Sequence, residues 1–125
     1  MATIVIADPD TTHALTLQAV LEGEGHAVHT AQDGYEAIEL CESLKPDMVF
    51  VAVNLAILTG PAVSEALRYD PEMARDMPII LLHSEALDAR VTEQCRATAS
   101  LERGSDAHTL RERVVDWLGE RAGPG

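Results

Sequence analysis

Apolar positions along this chain fall into short solid runs, separated by longer stretches in which they recur every three or four residues. Three runs are solid: Thr3–Ala7, Met48–Val53 and Pro78–Leu82. Each is rich in Val, Ile or Leu, is too short for a helix, and is apolar at consecutive positions. That pattern predicts strands covered on both faces. A weaker run, Ala27–Ala31, alternates around His29 and reads as an edge strand.

Helical spacing fills the intervals. Asp10, Thr11 and Thr12 offer caps for a first helix carrying Leu15, Leu17, Val20 and Leu21, closed by Gly23 and Gly25. Gly34 opens a second, with Ala37, Ile38, Cys41 and Leu44 on one stripe, and Pro46 stops it. A third runs from about Pro61 to Arg68 with Val63, Ala66 and Leu67 turned inward. A fourth, roughly Ala86–Ala97, is the least regular. The last has Asp106 as its cap, then Leu110, Val114, Trp117 and Leu118. A short run near Thr98–Glu102 supplies a fifth strand before it. Strands alternating with helices imply a parallel sheet with right-handed crossovers. The expected organisation is one domain over residues 1–120, with residues 121–125 a flexible tail or the start of a linker.

Composition narrows the function. The chain has 125 residues, of which 46% are apolar, ordinary for one globular domain. Aromatic residues make up only 3%, which removes a stacking platform for single-stranded nucleic acid. Nine basic against 21 acidic side chains give a net charge of −12. Such a surface repels phosphate backbones and anionic lipid, and suits a basic partner or plain solubility. Cys41 and Cys95 are isolated, so they make neither a disulfide framework nor a metal motif. The opening MATIVIADPD has no basic region and no long apolar stretch, and no membrane span follows, so a cytoplasmic chain is expected.

In an open parallel sheet, ligands bind outside the carboxyl ends of the strands. The residues there are Asp8, Pro9 and Asp10, then Ala52, Val53 and Asn54, then His83 and Ser84, and finally Glu102 and Arg103. No glycine-rich phosphate loop, nucleophile elbow or carboxylate pair stands among them. Asp8 with His83 offers two ligands at most, so no metal and no cofactor is expected. His13, His26, His29 and His108 are scattered and read as surface or turn residues. No catalytic residue emerges.

The segments TIVIADPD, LEGEGHAVHTAQDGYEAIEL, KPDMVFVAVNLAILTG and MPIILLHSE, in that order and spacing, resemble the receiver domain of bacterial two-component response regulators from Thr3 to about Leu118. The resemblance implies a doubly wound (βα)₅ flavodoxin-like sandwich with a five-stranded parallel sheet. It also implies an acidic pair after the first strand, where this chain has Asp8 and Pro9. The phosphorylated aspartate falls at Ala52, and the hydroxyl that contacts the phosphoryl group falls at His83, with Ser84 beside it. The family lysine falls at Arg103 or, by a strand-based alignment, at Glu102. The residue after it is Gly104 rather than the family's cis-bonded proline, and the aromatic switch of the fifth strand is missing.

Those departures point to a pseudo-receiver, a phosphorylation-independent signalling and protein-interaction module in which Asp8 pairs with Arg103 or His83. The expected partner is a protein, docked on the face built from the fourth helix, fifth strand and fifth helix, with Arg90, Arg96, Arg111 and Arg113 exposed on it. A homodimer through this face is a further expectation, and neither nucleic acid nor membrane is. Two other readings stand beside it: a small-anion or nucleotide sensor using Asn54, His83, Ser84 and Arg103, and a receiver whose phosphorylation has moved to Asp10 or His83.

Overall fold

A computed structural model describes residues 1–122, with side chains as far as Gly119. Five strands and five helices alternate: β1 (Thr3–Ala7), α1 (Thr11–Gly23), β2 (Ala27–Ala31), α2 (Gly34–Leu44), β3 (Met48–Ala52), α3 (Gly60–Tyr69), β4 (Ile79–His83), α4 (Ala89–Gln94), β5 (Ala99–Glu102) and α5 (Ala107–Ala122). The strands form one parallel sheet in the order β2-β1-β3-β4-β5. This is the doubly wound flavodoxin-like arrangement. The tail expected over residues 121–125 lies at and beyond the end of the described residues.

The solid runs became strands because both faces of the sheet are covered. Every residue of β3 is fully buried, and so is β4 from Ile79 to Leu82. α1 packs beside α5, and α2 beside α3. Phe50 in β3 meets Trp117 in α5 edge-on, with centroids 6.3 Å apart at 68°. That contact adds about 1 kcal/mol to the area both rings bury. β2, with its alternating pattern, is indeed the edge.

Helix starts at Asp10 and Asp106 follow the predicted chemistry, and the structure adds Asp33 and Thr59 as caps. Asp10 accepts from the His13 amide, Asp33 from Glu36, Thr59 from Ala62 and Asp106 from Thr109. Each satisfies one of the orphan donors of a first turn, worth about 1 kcal/mol.

Two expectations need correction. Ala66 faces solvent, and Ser64 takes the inward position with Val63 and Leu67. A serine can be buried there because its hydroxyl donates to the Cys95 carbonyl at 2.8 Å. The fourth helix is only six residues, Ala89–Gln94. Asp88 caps it by accepting from the Arg90 amide, so residues 84–88 become a loop beside the sheet's carboxyl edge.

Candidate functional site

Asp8 directly follows β1, and its side chain is fully buried. A buried carboxylate is tolerated only when its oxygens are bonded. Here they accept four bonds. Oδ1 takes the Arg103 Nη2 at 2.7 Å and the Asp10 amide at 2.9 Å. Oδ2 takes the Arg103 Nε at 3.1 Å and the His13 Nδ1 at 2.7 Å. The guanidinium therefore grips the carboxylate with two parallel bonds, the strongest geometry for such a pair.

Arg103 starts at the far side of the sheet. Its amide donates to the His83 carbonyl at 2.7 Å, which extends the β4–β5 ladder by one rung. Its side chain then runs over the ends of β4 and β3. On the way Nη1 donates to Ser84 Oγ at 2.9 Å and Nη2 to Asn54 Oδ1 at 3.2 Å. The uncertainty between Arg103 and Glu102 resolves here: Arg103 reaches the pocket and Glu102 is exposed.

Burial pushes the Asp8 carboxyl up. The bonds from His13, Arg103 and the Asp10 amide outweigh it and bring the pKa down to about 2. Asp8 is therefore ionised at neutral pH, and His13 must present a protonated Nδ1 to it.

Asp8, Arg103, Ser84 and Asn54 are thus brought together as a cluster. His83 is not part of it. Its Nδ1 is bonded to the Glu85 carbonyl at 2.7 Å, so the expected alternative of an Asp8–His83 pair is not formed. His13 takes that place, and the reading of His13 as a surface residue is corrected. A signal for it exists in the sequence. His13 is the third residue after the Asp10 cap, and helical side chains lean toward the helix N-terminus. It therefore points back at the strand end. Pro9 is exposed, and Ala52 is fully buried at the end of β3 with a methyl group only. A Cβ on Gly60 would collide with the Ala52 carbonyl oxygen, so the loop after β3 lies tight against this end of the strand.

A divalent cation, which the resemblance implies for a phosphorylated receiver, does not fit this donor set. Asp8 has both oxygens filled, while Pro9 and Ala52 bring no ligand. The guanidinium sits where positive charge is needed. Beside it, Val53, Asn54, His83, Ser84 and Leu87 border an open cleft of about 350 Å³.

Of the four arginines expected on the face of α4, β5 and α5, two are turned to neighbours off it. Arg111 turns to Glu24, after α1, with Nε 3.0 Å from the carboxylate. Arg96 lies over the Tyr69 ring of α3, 4.9 Å from its centroid. Arg90 pairs with Asp88 at 2.9 Å, and Arg113 is exposed on α5. Acidic and aromatic neighbours claimed Arg90, Arg96 and Arg111, which helical spacing alone does not reveal.

Comparison with known proteins bears on all of this. Residues 4–115 match the response regulator receiver domain. The chain is 30% identical over 116 residues to the transcriptional regulatory protein PrrA of Mycobacterium leprae, covering 92% of this chain and 46% of that protein. It is 33% identical over 82 residues to protein PilH of Pseudomonas aeruginosa, covering 66% and 67% respectively. A crystal structure of a response regulator from Chloroflexus aurantiacus superposes with a TM-score of 0.87 at 27% identity, covering 94% of this chain and 97% of that one. The chain spans about half the length of PrrA.

Proposed function

This chain belongs to the response regulator receiver domain family, and from that membership we propose that it signals without being phosphorylated, as a protein-interaction module of two-component type. The observation that supports this reading is the saturated Asp8 carboxylate, gripped by Arg103 and His13, beside a strand end that carries Ala52. An acyl phosphate needs a carboxylate nucleophile, and Ala52 has none. Phosphoryl transfer also needs a cation at the reacting oxygens, and the Arg103 guanidinium at this strand end is already bound to Asp8. The molecule then holds one conformation, because no ligand remains with a differential affinity for a second.

The partner is a protein met in the cytoplasm through the face formed by α4, β5 and α5. The sensor reading draws on the cleft beside Arg103, but Arg103 has spent four of its N–H bonds on Asp8, Asn54 and Ser84, leaving one of five for an anion. Displaced phosphorylation finds Asp10 capping α1 and the His83 Nδ1 bonded to a carbonyl.

The experiment is an amide spectrum of the isotope-labelled chain with millimolar Mg²⁺, then with beryllofluoride added. No saturable shift is expected at Asp8, Ala52 or Arg103. Saturable movement there, or a gain of one phosphoryl mass on incubation with acetyl phosphate, would overturn the proposal.

A further inference from the structure

Three large apolar side chains stay exposed at the β2–β1 side of the sheet's carboxyl edge: Leu15 at 59%, Tyr35 at 59% and Ile57 at 70%. They belong to different segments that the fold brings together. Leu15 and the exposed Pro9 border a hollow of about 190 Å³, which Thr30 and Gln32 close on its other side. The Gln32 amide donates to Glu36, beside Tyr35, at 3.5 Å. The Gly34 amide donates to the Ala56 carbonyl, beside Ile57, at 3.2 Å. An apolar surface therefore runs from the start of α1, across the β2–α2 connection, to the loop after β3. The cleft beside Arg103 lies apart from it, over the ends of β3 and β4.

Ile57 carries two costs at once. Its φ of 68° lies in the left-handed region, where glycine or asparagine sits more easily than a β-branched residue. The Leu58 amide closes onto the Ala56 carbonyl around it at 2.8 Å, a tight and strained turn. The strain gains no burial, because the side chain is held out in water. A contact made outside the chain gives both costs one explanation.

Charge indicates what that contact is. Asp10, Asp33 and Glu36 stand around the surface, and each spends one carboxylate oxygen on a backbone amide. Among the described residues, none of the three takes part in an ion pair. Residues 8–16, 30–36 and 53–59 contain no Lys or Arg. Arg103 reaches this edge, but its side chain is only 13% exposed and is bound to Asp8. An apolar surface with an acidic rim repels anionic lipid. A two-fold contact with a second copy would set the same carboxylates against each other. A basic segment with apolar anchors matches it in both respects.

We propose that this surface docks a partner protein through a short amphipathic segment carrying Lys or Arg, with one apolar side chain in the hollow beside Leu15 and others against Tyr35 and Ile57. A pocketed anchor inside a polar rim is the usual build of a binding hot spot, and an apolar face laid in a groove is a common way to hold a peptide. This surface is separate from the face of α4, β5 and α5, and the inference does not rest on the absence of phosphorylation.

The test titrates the full isotope-labelled chain, at physiological ionic strength, with a short Leu/Arg amphipathic peptide, its Leu/Glu counterpart and a Ser/Arg peptide of the same length. Saturable amide shifts at Leu15, Gln32, Tyr35 and Ile57 are expected with the Leu/Arg peptide alone. Ile57→Asn should weaken binding about tenfold while raising the melting temperature, since asparagine relieves the turn. A merely structural residue would not lose binding while gaining stability. Leu15→Gln should also weaken binding, and Asp33→Asn, which keeps the cap of α2, should weaken it and flatten its salt dependence. The proposal fails if no saturable shift occurs at millimolar peptide, if the Leu/Glu or Ser/Arg peptide binds as well, or if the shifts centre on α5 or Arg103. It fails equally if Ile57→Asn binds like the native chain, or if the same amides move on raising the chain's own concentration or on adding phosphatidylserine vesicles, which would assign the surface to a second copy or to a membrane.

Discussion

Asp8 stays ionised inside the protein because His13, Arg103 and one backbone amide outweigh the cost of its burial. Its folded pKa, about 2, lies below the unfolded value near 3.8. The unfolded chain therefore binds the extra proton first as pH falls, and the contribution of this group is present above pH 4 and lost on the way down to pH 2. It amounts to about 2 kcal/mol. Urea unfolding at a series of pH values should show that loss in the native chain and a flatter profile in Asp8→Asn. Arg103→Met should cost more, about 3 kcal/mol by the same measurement, because it strands a buried charge. A midpoint unchanged by Arg103→Met would show the pair to be dispensable. At this scale the sequence marked Asp8, Arg103, Ser84 and Asn54 by their places at strand ends. It did not mark His13, which is set by the direction of a helical side chain rather than by the sheet. Nor did it reveal where Arg96 and Arg111 turn, since these answer to neighbours far away in the chain, Tyr69 and Glu24.

Among the elements, strands and the caps of α1 and α5 were readable because each rests on local chemistry: solid apolar runs for β1, β3 and β4, and Asp10 and Asp106 before their helices; Asp33 and Thr59, which cap α2 and α3, were not singled out. The interior of α3 was harder. Its buried stripe includes Ser64, whose acceptor is Cys95 from the end of α4, and hydropathy favours Ala66 over it. The loop between β3 and α3 is where packing is tightest. Leu58 N–H closes back on the Ala56 carbonyl at 2.8 Å around Ile57, a β-branched residue at φ 68°. That turn is a strained one. The same Ala56 carbonyl accepts from Gly34 at 3.2 Å, so the start of α2 is fastened to the loop. Gly60→Ala should therefore destabilise the fold by about 2 kcal/mol, because the new methyl meets the Ala52 carbonyl. Gly23→Ala, which meets nothing within 4 Å near the end of α1, should instead stabilise by about 0.5 kcal/mol. Thermal melts of the two variants moving in the same direction would contradict this account.

For the molecule as a whole, the order β2-β1-β3-β4-β5 sets the ends of β1 and β3 side by side, which is why one long side chain from beyond β5 can tie together what three other strands present. Family membership and fold were legible together, since the quoted segments appear in the right order over most of the chain. What the altered positions do was not, because it depends on how Arg103 spends its donors. If the guanidinium has replaced a metal, then undoing the replacement should restore metal binding. The triple variant Pro9→Asp, Ala52→Asp, Arg103→Lys is expected to show saturable Mg²⁺ shifts at the sheet's carboxyl edge where the native chain shows none. A silent triple variant would mean that more than these three positions has been rebuilt.

A cation carried on a side chain differs from a dissolved one in a way that reaches beyond the pocket. Dissolved ligands obey mass action, so their occupancy rises and falls with supply. Arg103 is tethered to the chain that needs it, and its local concentration is fixed by the length of that tether. Neither chelation nor metal starvation can empty the place it fills. On the function proposed, every copy of the protein is made already in its signalling form. The quantity a cell can still vary is the number of copies, so the input to such a module is its own synthesis and degradation.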